Sequence, residues 1–107
     1  MLHYKGRYGE GDMHVDVSTY HYGGGLRISL WDEKAGPFTT LTVNLEGYDV
    51  KEKFGDNYAF VDTNNFPEAE EFIKKHKLGE FTGLGGVSGY CTYPLYKFDL
   101  ERLRANA

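Results

Sequence analysis

The sequence predicts an α+β domain: an antiparallel sheet of about four to six strands, one main helix over about residues 66–78 on one of its faces, and room for a short C-terminal helix. Three observations carry that expectation. Aromatics make up 16% of the 107 residues and glycines number 14, a composition that suits half-buried pleated surfaces joined by tight turns. Apolar residues alternate with polar ones at 13–17, 26–30 and 41–45. Only one long segment, 66–78, carries a helical repeat.

The elements follow in chain order. Residues 2–8 read as a short first strand or an irregular lead-in, and residues 9–12 as a turn. Met13, Val15 and Val17 alternate with His14, Asp16 and Ser18. Tyr20 and Tyr22 shift that phase by one residue, which a bulge near Ser18–Thr19 would reconcile. The run Gly23-Gly24-Gly25 supplies a hairpin turn, because glycine tolerates positive φ. Leu26, Ile28 and Leu30 form the clearest strand, and Leu41, Val43 and Leu45 another, so residues 13–45 read as a three-stranded meander. Residues 46–57 read as a loop and 58–61 as a short strand.

The helix has its own signals. Asn64 or Asn65 is placed to cap it, and Pro67 fits the first turn, where no N–H is needed. Glu68, Glu70 and Glu71 precede Lys74, Lys75 and Lys77, which complements the macrodipole. Ala69, Phe72, Ile73 and His76 share one face, and Gly79 is a natural residue to end it. Thr82–Gly89 reads as a flexible glycine-rich loop. Residues 90–98 read as a strand that Pro94 confines to an edge or interrupts. Asp99 is placed to cap a final helix through Leu100 and Leu103.

Composition narrows the function classes. The chain fits one domain spanning 1–107, with a globular balance of 40% hydrophobic and 26% charged residues. The N-terminal residues lack an apolar signal region, no stretch is long enough to span a bilayer, and a lone Cys91 cannot form an internal disulfide; the expected location is the reducing cytoplasm. Net charge is −4, unlike a strongly basic nucleic-acid binder. Residues 32–71 hold ten acidic and three basic side chains, so the middle of the chain is acidic.

Several groups invite chemistry. His14, Asp16 and His21 are candidate ligands for zinc or another divalent metal, although their spacing matches no metal motif. Cys91 lacks a local nucleophile signature and reads as a buried structural thiol. The GLGGVSG run at 83–89 lacks the Lys and following helix of a phosphate loop, and reads as a turn or bulge. Asp62 with Glu68 or Glu70 offers a carboxylate pair, but capping explains the neighbouring Asn residues. The nine tyrosines stand out most. Half are expected in the core or in cross-strand pairs, and the rest suit a protein interface or base stacking.

The strings LTVNLEGY (41–48), AFVDTNNFPEAEEFI (59–73) and GYCTYPLYKFDLERL (89–103) resemble the domain-of-unknown-function 4313 family. The resemblance covers roughly residues 23–103. It implies a mobile-element setting (phages, plasmids and conjugative elements) and no catalytic assignment. It departs from the family at TGLGGVSG, where members more often carry an Arg. Small proteins from such loci often block host defences, so the resemblance implies a non-enzymatic inhibitor of a defence nuclease, of the anti-CRISPR kind, with a host protein such as a Cas effector as partner. The expected interface combines acidic Asp32, Glu33, Glu46, Asp49, Glu52 and Asp56 with aromatic Tyr20, Tyr22, Trp31 and Tyr48. No cofactor, membrane or direct nucleic acid is expected, and the chain is expected as a monomer or a homodimer paired through 90–98. Two alternatives stand beside this reading: a metal-binding protein using His14, Asp16 and His21, and an accessory factor of conjugation or replication that binds single-stranded nucleic acid through its tyrosines.

Overall fold

A computed structural model describes residues 1–107 as two four-stranded antiparallel sheets and three short helices, an α+β fold. The first sheet has the order β1-β2-β3-β4, formed by Leu2–Gly6, Gly9–Thr19, Leu26–Asp32 and Gly36–Thr40. Here β1 is a true strand. The turn predicted at 9–12 falls instead at Arg7–Tyr8, and β2 already starts at Gly9. The β2–β3 register runs unbroken from Met13↔Asp32 to Thr19↔Leu26. No bulge forms at Ser18–Thr19; the strand simply ends at Thr19, and the phase shift of Tyr20 belongs to the turn. Gly23 (φ 78°) and Gly24 (φ 64°) occupy left-handed conformations in that turn, which closes through Tyr20 N–H to the Gly25 carbonyl at 2.8 Å.

The strand predicted at 41–45 is divided between the two sheets. Leu41 N–H donates to Ile28 O at 2.8 Å, so the residue still belongs to the β3 side. Its own carbonyl accepts from Asp62 N at 2.8 Å, on the far side. Beyond this corner, β5 (Thr42–Val43) pairs with β6 (Tyr58–Val61) in the second sheet, which β7 (Gly79–Ser88) and β8 (Cys91–Phe98) complete in the order β5-β6-β8-β7. Between β5 and β6 the expected loop contains a short helix, α1 (Val50–Phe54).

The main core lies where the inner face of the first sheet meets the second sheet and α2 (Ala69–Lys75). Leu2, Tyr4, Met13, Val15, Ile28 and Leu30 pack there against Ala59, Val61, Phe98, Phe72 and Ile73. A smaller cluster of Leu45, Phe60, Tyr93 and Leu95 sits on the opposite face of the second sheet. Alternation along β6 sends Ala59 and Val61 to one cluster and Phe60 to the other.

Helix α2 is shorter than the predicted 66–78, and neither Asn64 nor Asn65 caps it. The Asp62 carboxylate holds Asn65 through its backbone N (3.2 Å) and Nδ2 (2.8 Å), so residues 63–65 form a turn before the helix. Glu68 takes the N-cap position without a side-chain cap bond; its carboxylate instead accepts from Tyr4 Oη at 2.7 Å. At the other end Lys77 (φ 55°) adopts the left-handed conformation expected of Gly79, and Leu78 N–H closes onto Ile73 O at 2.9 Å. Gly79 starts β7 (Gly79–Ser88), where an added Cβ would come within 2.7 Å of the Lys97 carbonyl.

The expected flexible loop at 82–89 is most of β7. It pairs with β8 (Cys91–Phe98) around an irregularity between Phe81 and Gly85. Pro94 faces Gly85, and β6 pairs with β8 only from Leu95 onward, so the proline costs no ladder bond on that side. The segment 90–98 is therefore interior to its sheet, and the free edge on that side belongs to β7. Helix α3 (Leu100–Ala105) is capped as expected, with Arg102 N–H donating to Asp99 Oδ1 at 3.0 Å. Val15 N–H donates to Asn106 O at 2.9 Å and ties the end of the chain to β2. No helix is long and apolar enough to cross a membrane.

Candidate functional site

Where the sheets diverge beyond the Leu41 corner, a cleft of about 470 Å³ opens between the β2–β3 turn, the stretch after β5, and α1 with β6. Its size is that of a small-ligand or side-chain pocket. The walls are Tyr20, Leu26, Leu45, Val50, Tyr58 and Phe60, with Tyr48 above them. Period-two alternation puts Tyr58 and Phe60 on this face of β6, while the five-residue α1 carries Val50 toward the cleft and Lys51 and Glu52 to its rim.

Two hydroxyls fix the aromatic walls. Tyr20 Oη lies 2.9 Å from Thr42 Oγ1, which also accepts from Ile28 N–H at 3.1 Å. Burial pushes the Tyr20 phenol pKa up, against a smaller opposing pull from Thr42. Tyr48 Oη accepts from Val87 N–H at 3.0 Å, and its ring meets Phe60 edge-on at 5.2 Å. The loop carrying Tyr48 is thereby tied to the β7 edge. Asp49, Glu52 and Asp56 ring the mouth, together with Lys51, whose Nζ stands 3.9 Å from Asp56 Oδ1.

Half of the predicted interface set converges here. Tyr20, Tyr48, Asp49, Glu52 and Asp56 line the cleft. Tyr22, 81% exposed, projects from the adjoining turn, and its carbonyl accepts from Asn44 Nδ2 at 3.1 Å. Glu46 is exposed on the Tyr48 loop. Trp31, Asp32 and Glu33 do not join them, because the seven residues of β3 span roughly 20 Å and carry them to its other end. Asp32, the last residue of β3, anchors the turn that follows: its Oδ1 accepts from Lys34 N (2.8 Å) and Ala35 N (2.9 Å), which lowers its pKa. Trp31 stacks on His14 at 4.3 Å and 17°, and Glu33 lies 3.8 Å from the same imidazole.

The metal trio is not assembled either. His14 and Asp16 lie on β2, whereas His21 follows the end of that strand and meets Tyr22 edge-on at 5.5 Å. An extended chain advances about 3.3 Å per residue, so the continuous strand separates His14 from His21 where a bulge was expected to join them. No group of three or more His, Cys, Asp or Glu side chains is placed to hold a metal ion. The suggested carboxylate pair is also apart: Asp62 holds Asn65, Glu68 holds Tyr4, and Glu70 Oε2 accepts from Tyr96 Oη at 2.5 Å. Cys91 is half-buried at the tip of the β7–β8 hairpin.

The sequence matches the family described as Domain of unknown function (DUF4313) over residues 14–106. The chain belongs to the DUF4313 family. No curated protein and no solved structure matches it. The matched span contains every cleft-lining residue of this DUF4313 domain, from Tyr20 to Phe60, and leaves out β1.

Sequence reasoning missed two features of the DUF4313 domain. The first is α1, where composition suggests a loop although Val50 and Phe54 stand four apart with charges between them, the signal of one helical turn. The second is the setting of His3, whose ring lies between Asp12 Oδ1 (Nδ1, 3.0 Å) and Glu10 Oε2 (Nε2, 2.9 Å). The hydrogen bond to Asp12 is the main cause of its raised pKa, with Glu10 adding to it. Chemically, the cleft offers aromatic faces, phenol oxygens and rim carboxylates. That combination attracts cations.

Proposed function

We propose that this domain is a non-enzymatic binding protein that inhibits a host defence nuclease, a Cas effector in its concrete form, by covering the surface where that nuclease handles nucleic acid. The observation that carries the reading is the tyrosine-walled cleft with Asp49, Glu52 and Asp56 at its mouth. Surfaces that hold phosphate backbones are rich in Lys and Arg, so an acidic, aromatic face is complementary to them. Tyrosines bring large contact area at low entropic cost and are enriched at interface hot spots. The resemblance to mobile-element proteins supplies the setting, and a cytoplasmic site of action suits an unpaired Cys91.

The partner-facing surface on this reading is the cleft with Tyr22 and Glu46 beside it. The β3–β4 turn is excluded from it, since it lies at the far end of β3 and Asp32 Oδ1 is engaged by the Lys34 and Ala35 amides. The test is inhibition of nuclease cleavage, and co-purification with the nuclease, by wild type and by the Asp49→Ala/Glu52→Ala/Asp56→Ala variant. Loss of both in the variant is the expected result; unchanged binding and inhibition would refute the assignment of this face.

A further inference from the structure

Lys51 occupies an unusual place for a surface lysine. It leaves α1, crosses the cleft mouth, and rests its ammonium over the β2–β3 turn, where a Cβ added to Gly24 would lie 3.6 Å from Nζ. Its single ion pair, to Asp56 Oδ1 at 3.9 Å, is long and joins two exposed groups, so it binds the ammonium only weakly. Asp49 and Glu52 complete the acidic surround, and neither forms a salt bridge of its own. Behind this cation lie the rings of Tyr20, Tyr48, Tyr58 and Phe60. The cleft therefore has aromatic walls and an acidic mouth, across which lies a loosely held cation of the chain itself.

We propose that the cleft receives one arginine side chain of a basic protein partner, and that Lys51 is the resident cation this arginine displaces. Arginine fits the chemistry better than lysine. Its guanidinium is planar, stacks on aromatic faces, is weakly hydrated, and engages carboxylates through paired N–H donors. The cleft, about 470 Å³, exceeds one side chain, leaving room for the backbone that carries it. This inference rests on the binding role proposed above and names the group on the partner that the cleft reads.

The probe is the capped tripeptide acetyl-Gly-Arg-Gly-amide, titrated into 15N-labelled protein, with the isosteric neutral citrulline peptide as control. Saturable shifts are expected at the amides of Tyr20, Lys51, Tyr58 and their neighbours with the arginine peptide and not with citrulline. Lys51→Met is expected to tighten binding several-fold by removing the competitor. Asp49→Asn/Glu52→Asn/Asp56→Asn is expected to weaken it about tenfold. All four positions are exposed, and spectral dispersion of each variant checks that the fold is retained. Equal response to both peptides, no saturable shifts in wild type and Lys51→Met alike, or shifts centred away from the cleft would overturn the inference. Nuclease inhibition reports separately on the broader role. Inhibition without arginine binding removes only the arginine slot, whereas arginine binding without inhibition of any nuclease removes the inhibitor role.

Discussion

Replacing Gly86 by alanine is expected to destabilise the protein, against the usual sign for a glycine in a loop. In a flexible segment, Gly→Ala stabilises by about 0.4–1 kcal/mol, because it reduces the freedom of the unfolded chain. Gly86 instead lies in β7 with its missing side chain aimed at the smaller core. An added Cβ would stand 2.7 Å from Phe60 Cζ and 2.8 Å from both Phe60 Cε1 and Leu45 Cδ1. Both neighbours are buried, and Tyr48 packs on the same Phe60 ring. Neither can move without disturbing the cleft wall. Overpacking of this kind costs about 1–3 kcal/mol. For a chain of this length that corresponds to a Tm lower by roughly 4–20 °C. Thermal unfolding followed by circular dichroism, with urea unfolding as a second measure, reads the effect. A double-mutant cycle with Phe60→Leu identifies its source, since a smaller side chain should absorb the new methyl and the two changes should not add. A Tm equal to or above that of wild type would refute the close packing of β7 against Phe60 and restore the flexible-loop reading.

Three further outcomes are expected. Tyr48→Phe should speed hydrogen exchange at the Val87 amide while leaving other β7 amides near their wild-type rates, because Tyr48 Oη is the acceptor for that N–H; no change at Val87 would remove the link between loop and strand edge. Asp99→Ala should cost about 1 kcal/mol, read as a lower urea midpoint at constant slope, since it deletes the cap bond to Arg102 N on the helix that carries buried Leu103. By NMR, His3 should titrate above its ordinary value of 6.5 and His76 below it, the latter mainly through burial. A raised folded-state value means that His3 adds stability below pH 6.5 that fades as pH rises through its folded pKa. A lowered value means that the His76 contribution is complete above pH 6.5 and is lost as pH falls through its folded pKa. Two ordinary titrations would contradict the placement of both rings.

Much of the fold was legible because it is written locally. Alternation at 13–17 and 26–30 located β2 and β3, and the side-chain cap at Asp99 located α3. The sequence singles out acidic and tyrosine residues as interface candidates, and five of those ten residues line one cleft. The failures share a cause. Asn65 resembles a helix cap until Asp62 claims it, and Glu68 reads as a dipole partner of its helix until Tyr4, sixty-four residues away, takes its carboxylate. The acids of the β3–β4 turn look like those of the cleft in one dimension, and only strand length separates them.

The sequence by itself determined the α+β class, the strand faces in the first half, the final helix and the acidic, tyrosine-rich character of the surface. These follow from period, capping and composition, which act between residues a few positions apart. Tertiary structure alone decided that the chain turns a corner at Leu41 and divides one strand between two sheets. It alone decided that a run of glycines is a packed strand, and that Tyr20 and Phe60 face a common cleft. The physical reason is that each of these depends on which distant atom fills a given space: the Ile28 carbonyl at Leu41, the Lys97 carbonyl at Gly79, the Phe60 ring at Gly86. Close packing selects among local options that are nearly equal in energy, and the residues that cast the deciding contacts lie far along the chain.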